Sequence, residues 1–424
     1  MVTPLRRGLR TGSAAAADPQ SPAPPSPAAG QEEIRRQNLG AVLRYVHVHG
    51  PTSRAELTSS LGLNRSTIGA LAADLAASGL VTEEAPPPAR RAGRPSPLVS
   101  PRSAAVYADA LSIEADRLRA ARVGLGGRIL DLREAPRPPG DVVPTLAALV
   151  RSLEPEGFCA GGAVAVADTT RADDGTLDVG GADEGLAAAL DAALDAPGRF
   201  LVGDLADIAA LAEHTRGAAA GIDDLIYLHG DLGVSAGIVT GGRLVIGHRG
   251  HSGKVGHMVV NPSGRRCGCG SKGCWETEIG TEALLRHAGL PPGSGHLPVV
   301  RAAERGDAAA LAALDRVGDW LGFGVANLVN VFNPDIVIFG GTLGDLYPAT
   351  APAIRRRLDM MALPASREHL QLRATALGDE AALIGAAELA FDPLLTDPLA
   401  AAGLLSSTPA EADPADPTAE PAGQ

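Results

Sequence analysis

Three of the chain's four cysteines fall in one glycine-rich stretch, Cys267-Gly268-Cys269-Gly270-Ser271-Lys272-Gly273-Cys274, which constrains the fold more than any other feature. Thiolates spaced two and then five residues apart in so flexible a loop converge on a single ion. His257, ten residues ahead of Cys267, completes a set of one imidazole and three thiolates. Four such ligands at tetrahedral distance form a closed structural Zn²⁺ site, with no position left for water. Cys159 stands alone in an apolar context and reads as packing. This clustering is not a disulfide framework, and it implies a reducing, cytoplasmic setting.

A chain of 424 residues is long enough for two or three domains. Hydrophobic residues make up 45% of it but aromatic ones only 3%, so Ala, Leu and Val must fill the core. No run approaches ~20 apolar residues without charge or Pro, which excludes a transmembrane helix. The N-terminus lacks the apolar region of a secretory signal, since Ser13-Ala14-Ala15-Ala16-Ala17-Asp18 is too short and too polar. The net charge of −12 conceals an asymmetry: residues 1–103 carry +5 and residues 104–424 carry −17. A basic front end on an acidic body predicts a small polyanion-binding module joined to a larger domain.

Residues 1–30 are dominated by Ala, Pro and Ser and are expected to be disordered, as are residues 396–424. The first folded unit is expected over 31–103. Ile34, Leu39, Val42, Leu43 and Val46 follow a helical period that Gly50-Pro51 stops. Ser53 caps a second short helix, Leu61-Gly62-Leu63 turns, and Asn64 caps a third helix with Ile68, Leu71 and Leu75 on one face. That is helix-turn-helix spacing. Leu80-Val81 and Leu98-Val99, flanking a Pro- and Arg-rich loop, make a wing. The body alternates short apolar strands (Val106–Ala108, Leu118–Val123, Ala163–Val166, Leu225–Leu228, Ile336–Phe339) with helices near 143–153, 205–215, 307–332 and 380–391. Such alternation predicts α/β architecture, in two lobes over 104–205 and 206–395.

The third helix opens with Arg65, Ser66 and Thr67. That end of a recognition helix enters the major groove, where Arg reaches guanine and the hydroxyls reach phosphate or base. In the wing, Arg90, Arg91 and Arg94 lie on an arm kept extended by Gly93 and Pro95 and suited to a narrow, electronegative minor groove.

The cysteine loop with His257, preceded by Gly247-His248-Arg249-Gly250-His251-Ser252-Gly253-Lys254-Val255-Gly256, resembles the signature of the ROK family (repressors, open reading frames and kinases). Asn333-Pro334-Asp335-Ile336-Val337-Ile338-Phe339-Gly340-Gly341 and the stretch from Leu377-Gly378-Asp379-Glu380 to Ala387 are similar to its later motifs. The resemblance spans residues 31–391. It implies a two-lobed, actin-like (ribonuclease-H-like) sugar-kinase fold. With an N-terminal winged helix, it implies a transcriptional repressor answering to sugars.

Departures from the pattern bear on catalysis. Glu114 stands where the kinases' Asp-x-Gly turn has the Gly that admits phosphate. Asp231-Leu232-Gly233 replaces a Gly-Thr-Gly phosphate loop. Aligned without gaps, Asp204-Leu205-Ala206-Asp207 puts Leu205 at the catalytic aspartate, and Leu accepts no proton; a one-residue gap puts Asp204 there instead. His257 and Glu276 match positions that contact sugar hydroxyls, whereas Lys254 replaces the family's Glu. Asp204, Lys254, His257 and Glu276 are therefore the candidate ligand-binding residues. The reading is a zinc-containing repressor of sugar-related genes that binds operator DNA as a homodimer or dimer of dimers, with a sugar or sugar-derivative effector and no kinase activity. The alternatives are an active sugar kinase with a fused DNA-binding module and a ligand-independent regulator.

Overall fold

The computed structural model describes residues 27–84, 96–154, 157–167, 182–231 and 233–403. These fall into two compact units, one of residues 27–105 with 392–403, the other of residues 106–391.

The smaller unit opens with α1 (Pro27–His49), which buries Leu39, Val42, Leu43 and Val46. It starts ahead of the expected Gln31, with Pro27 at its first position, where a missing N–H costs nothing. Ile34, expected on the apolar face, is 59% exposed. After β1 (Thr52–Ser53), α2 (Arg54–Leu61) begins at Ser53, whose hydroxyl accepts the Glu56 amide at 3.2 Å. Gly62 in the left-handed conformation (φ 67°) turns the chain into α3 (Arg65–Ala77). β2 (Val81–Glu84) and β3 (Leu98–Pro101) pair antiparallel, and β1 flanks β3. Leu57, Ile68, Leu71, Leu75, Leu80 and Val99 join the face of α1 in one core. This is a winged helix-turn-helix.

The larger unit contains two sheets of one design. In the first lobe β4 (Val106–Ile113), β5 (Arg117–Gly124) and β6 (Ile129–Pro136) run antiparallel. After α4 (Val143–Ser152), β7 (Phe158–Val166) adds parallel to β4; after α5 (Ala182–Leu194), β8 (Phe200–Asp204) adds parallel to β7. The order is β6-β5-β4-β7-β8. Leu111, Ile113, Leu118 and Val164 pack with Leu146, Val150 and Leu190 of the two helices.

α6 (Leu205–Arg216) leads into the second lobe, with β9 (Leu225–Gly230), β10 (Val234–Thr240) and β11 (Arg243–Leu244). The short α7 (Glu276–Ile279), α8 (Thr281–Ala288) and α9 (Leu297–Glu304) precede the long α10 (Ala308–Phe332). Then come β12 (Ile336–Gly341), α11 (Thr342–Met361), α12 (Pro364–Arg367), β13 (Gln371–Ala374) and α13 (Ala381–Thr396). The order β11-β10-β9-β12-β13 repeats that of the first lobe. Alanines 206, 209 and 210 of α6 cover one face of this sheet, and α10 and α11 cover the other.

Beyond Phe391, α13 continues to Thr396 and α14 (Pro398–Gly403) follows. The expectation of disorder from residue 396 is therefore corrected over 398–403. Leu394 and Leu395 are buried, and the Leu395 carbonyl lies so close to α1 that a Cβ on Gly40 would meet it at 2.6 Å. Among the described residues no helix is long and apolar enough to cross a membrane.

With few aromatics, the core depends on small residues that let large ones in. Trp275 is fully buried, its indole N–H donating to the Trp320 carbonyl at 2.8 Å. Its ring lies in a notch on α10 at Gly324, where an added Cβ would stand 2.1 Å from Cε2. Gly324→Ala is expected to lower the unfolding free energy by about 1–3 kcal/mol through overpacking, read by urea denaturation; an unchanged midpoint would show that the notch yields freely.

Candidate functional site

Two glycines seat the loop that carries Lys254 and His257. Gly253 (φ +75°) and Gly256 lie so close to β10 that a Cβ would meet the carbonyls of Ala236 at 1.9 Å and Val234 at 2.3 Å. His257 then faces the cysteine loop, which closes on itself through hydrogen bonds from the Cys267 amide to the Ser271 carbonyl (2.9 Å) and from the Gly273 amide to the Arg265 carbonyl (2.8 Å). Ligand atoms of His257, Cys267, Cys269 and Cys274 all lie within 4.8 Å of one another. Cys267 Sγ is 3.6 Å from His257 Nδ1, and Cys269 Sγ is 3.6 Å from Cys274 Sγ. Edges of about this length join the corners of a tetrahedron with Zn–S of about 2.3 Å and Zn–N of about 2.0 Å. The donor set fits a structural Zn²⁺. Cys159 is apart from it, within 3.2 Å of the Gly161 carbonyl.

Glu276, at the start of α7, is also at this loop: its Oε1 accepts from the Cys267 thiol at 2.8 Å and lies 3.7 Å from His257 Nδ1. Lys254 turns the other way and pairs with Asp204 Oδ2 at 2.9 Å. Asp204 is the N-cap of α6: its Oδ1 accepts the amides of Ala206 (2.8 Å) and Asp207 (3.3 Å). The four candidate ligand residues thus form two pairs, Asp204–Lys254 and His257–Glu276. Leu205 is 2% exposed and packs inward.

Sequence reasoning missed Asp207 and His229. Asp207 lies one helical turn after the cap, and its Oδ1 is buried without a partner. Burial above all, then the Asp204 charge, pushes its carboxyl up to about 8, against the pull of Lys254. His229, on β9, is half-buried with its Nδ1 sealed from water, and desolvation holds its imidazole below the usual range. The i,i+3 spacing of Asp204 and Asp207 was the available signal for the first; nothing in the sequence marks His229.

At the mouth of both sheets Asp231 Oδ2 accepts the Ala115 amide at 3.0 Å, while Glu114 accepts from Ser112 (2.9 Å) and from Arg117 Nε (2.6 Å). Burial raises the Asp231 carboxyl above its ordinary range. The turn amide is thus engaged by Asp231, and Glu114 by Ser112 and Arg117.

In the winged helix, Asn64 Oδ1 accepts the Thr67 amide (2.8 Å) and the Ser66 hydroxyl (2.7 Å), fixing the start of α3. Arg65 and Ser66 are exposed and Thr67 is half-buried. Arg54 of α2 pairs with Glu83 of β2 at 2.6 Å, tying the helices to the wing. Arg90, Arg91 and Arg94 lie outside the described residues.

The ROK family profile matches residues 110–392, two-thirds of the chain. The chain belongs to the ROK family. A MarR family profile matches residues 40–92, within the winged helix. The xylose repressor of Bacillus subtilis (strain 168) is 25% identical over 382 residues, covering 87% of this ROK protein and 98% of the repressor. A glucokinase of Halalkalibacterium halodurans is 32% identical over 202 residues, 44% of this chain and 61% of that enzyme. Among solved structures, a ROK family transcriptional regulator described as a homolog of the E. coli MLC protein superposes with a TM-score of 0.68 at 23% identity, over 88% of this chain and 98% of that one. The Streptomyces griseus ROK glucokinase gives 0.56 at 28% identity, over 67% and 98%. The two-lobed kinase-like fold and the winged helix expected from the sequence are both present.

The Asp207 carboxyl makes a checkable contribution to stability. Unfolded it loses its proton near 3.8, folded at about 8. The folded ROK chain therefore holds a proton the unfolded one has released, and stability falls as pH rises through that interval. His229, buried neutral, acts in the opposite sense below its usual range, so the wild-type curve alone mixes the two. Asp207→Asn should stabilise the protein by up to about 4 kcal/mol at pH 7, the gain over wild type growing from pH 4 to 8; a pH-independent difference would contradict the shift.

Proposed function

We propose that this ROK protein is a DNA-binding transcriptional repressor of sugar-related genes whose kinase-like body senses a ligand. One observation carries the reading: a winged helix with an exposed arginine at the start of its second helix-turn-helix element heads a ROK body, and the arrangement matches a repressor along 98% of that repressor's length. Arg65, Ser66 and Thr67 read base edges and phosphate from the major groove. Arg90, Arg91 and Arg94 reach the minor groove. Two copies bind as a homodimer, or as a dimer of dimers, on half-sites about one or more helical turns apart. The protein acts in the cytoplasm.

The similarity to glucokinases favours a second reading, an active sugar kinase with a fused DNA-binding module. Three features of the cleft argue against it. Leu205 is buried where the ungapped match requires a general base. Asp204, the alternative base, has one oxygen on the helix amides and the other on Lys254. Asp231 occupies the turn amide that would face phosphate, and its charge beside Glu114 repels a nucleotide. The effector would lie against Asp204, Lys254, His257 and Glu276. Lys254 donates where the family's Glu accepts, and Asp207 keeps its proton at neutral pH, so the pocket offers donors and suits a sugar derivative with an acidic or phosphorylated group.

Zinc held by His257, Cys267, Cys269 and Cys274 would be structural, fixing the loop that presents Glu276. Cys269→Ala should lose most of its zinc by metal analysis of the purified protein; full retention would exclude Cys269 as a ligand. For the DNA-binding role, Arg65→Ala should weaken operator binding by about 1–3 kcal/mol and relax preference at one base position per half-site. Binding curves on operator and scrambled duplex over a salt series test this. Equal operator affinity of variant and wild type would remove Arg65 from the interface.

A further inference from the structure

One corner of the second lobe leaves large apolar side chains uncovered. Val331 and Phe332 end α10, Met360 stands in the last turn of α11, and Leu363 directly precedes α12. The four are between 36% and 73% exposed. An apolar side chain exposed singly is ordinary, but several gathered at one place mark a contact surface. Asn330 holds the corner together: its Nδ2 donates to the Met361 carbonyl at 3.1 Å, and its Oδ1 accepts the Leu363 amide at 2.9 Å. The ends of α10 and α11 are thereby fixed to each other, which lowers the ordering cost of any contact made there. Bordering the corner is a shallow groove of about 570 Å³, with Leu358, Pro364, Leu370 and Leu372 along it. Its charged lining is Arg355 and Arg367 against Asp359 and Glu368, two of each sign.

The occupant that suits this corner is a second copy of the chain. Residues 104–424 carry −17, so two bodies repel each other across most of their surface. The groove is lined by balanced charges and does not repel its own image. A two-fold contact also requires one face to offer both halves of the interface. Here the projecting side chains of Met360 and Leu363 and the groove residues Leu358 and Pro364 follow one another along a single stretch of chain. We propose that this corner is a homodimer contact, in which Met360 and Leu363 of each copy, flanked by Val331 and Phe332, lie in the groove of the other. The inference rests on the reading of the protein as a homodimer and names the face that makes one.

The test is sedimentation equilibrium of the full-length protein, without DNA, over a dilution series. The wild type should self-associate, as a dimer or a dimer of dimers. Met360→Glu and Val331→Glu change side chains that are 67% and 73% exposed, so both should fold with the circular dichroism of the wild type. Each should weaken self-association at least about tenfold. Leu311→Glu, at another exposed position about 30 Å along α10 from Val331, should leave it unchanged. A wild type that stays monomeric, undiminished association in either corner variant, or equal weakening by Leu311→Glu would overturn the contact. Operator binding does not enter this measurement, so a failed contact and a failed DNA-binding role give separate results.

Discussion

The ion pair between Lys254 and Asp204 is the contact on which the proposed reading of the two-lobed body rests. Asp204 starts α6, and its carboxylate satisfies two of the amides that a helix N-terminus leaves open. The ammonium of Lys254 takes the other oxygen at 2.9 Å. A carboxylate so engaged has both oxygens occupied. Its charge also acts on Asp207 one turn later, which, buried beside it, keeps its proton to about 8. The kinase-like cleft thus holds a pinned carboxylate, a protonated one and a lysine. On the proposed reading, that set serves recognition of a ligand and not transfer of a phosphoryl group.

The cysteine loop depends on the core in a different way. Cys274 is followed directly by Trp275, the largest fully buried side chain, and that ring is seated only because α10 carries Gly324 beneath it. Gly253 and Gly256 bring His257 to the same place from β10. Backbone-to-core contacts therefore assemble the four ligand atoms, and a bound ion would lock an arrangement that packing has already drawn together.

Much of this was legible in the residues. The repeated apolar strands at 163–166, 225–228 and 336–339 are buried on both faces, so they read as unbroken hydrophobic runs. The caps Ser53 and Asn64 and the turn glycine Gly62 announce the helix-turn-helix because each supplies a local geometry few other residues supply. The cysteine cluster was equally plain, since thiols at such spacing have few other uses. What escaped depends on tertiary partners. His229 sits in an ordinary strand and matters only through its burial. Ile34 keeps the helical period yet points outward, because periodicity does not say how far along a helix its partner extends. The helix over 398–403 was hidden by an Ala- and Pro-rich composition; it follows α13, whose Leu395 carbonyl lies close to Gly40 of α1.

A coupled ADP-release assay with a panel of hexoses, run on the wild type and on Leu205→Asp, tests most directly the claim that the cleft serves recognition and not catalysis. The account predicts no turnover in either, because Asp204 stays paired with Lys254 and Asp231 still fills the phosphate turn. Hexose-dependent turnover near ~1 s⁻¹ in the wild type, within the ordinary enzyme range, would contradict it.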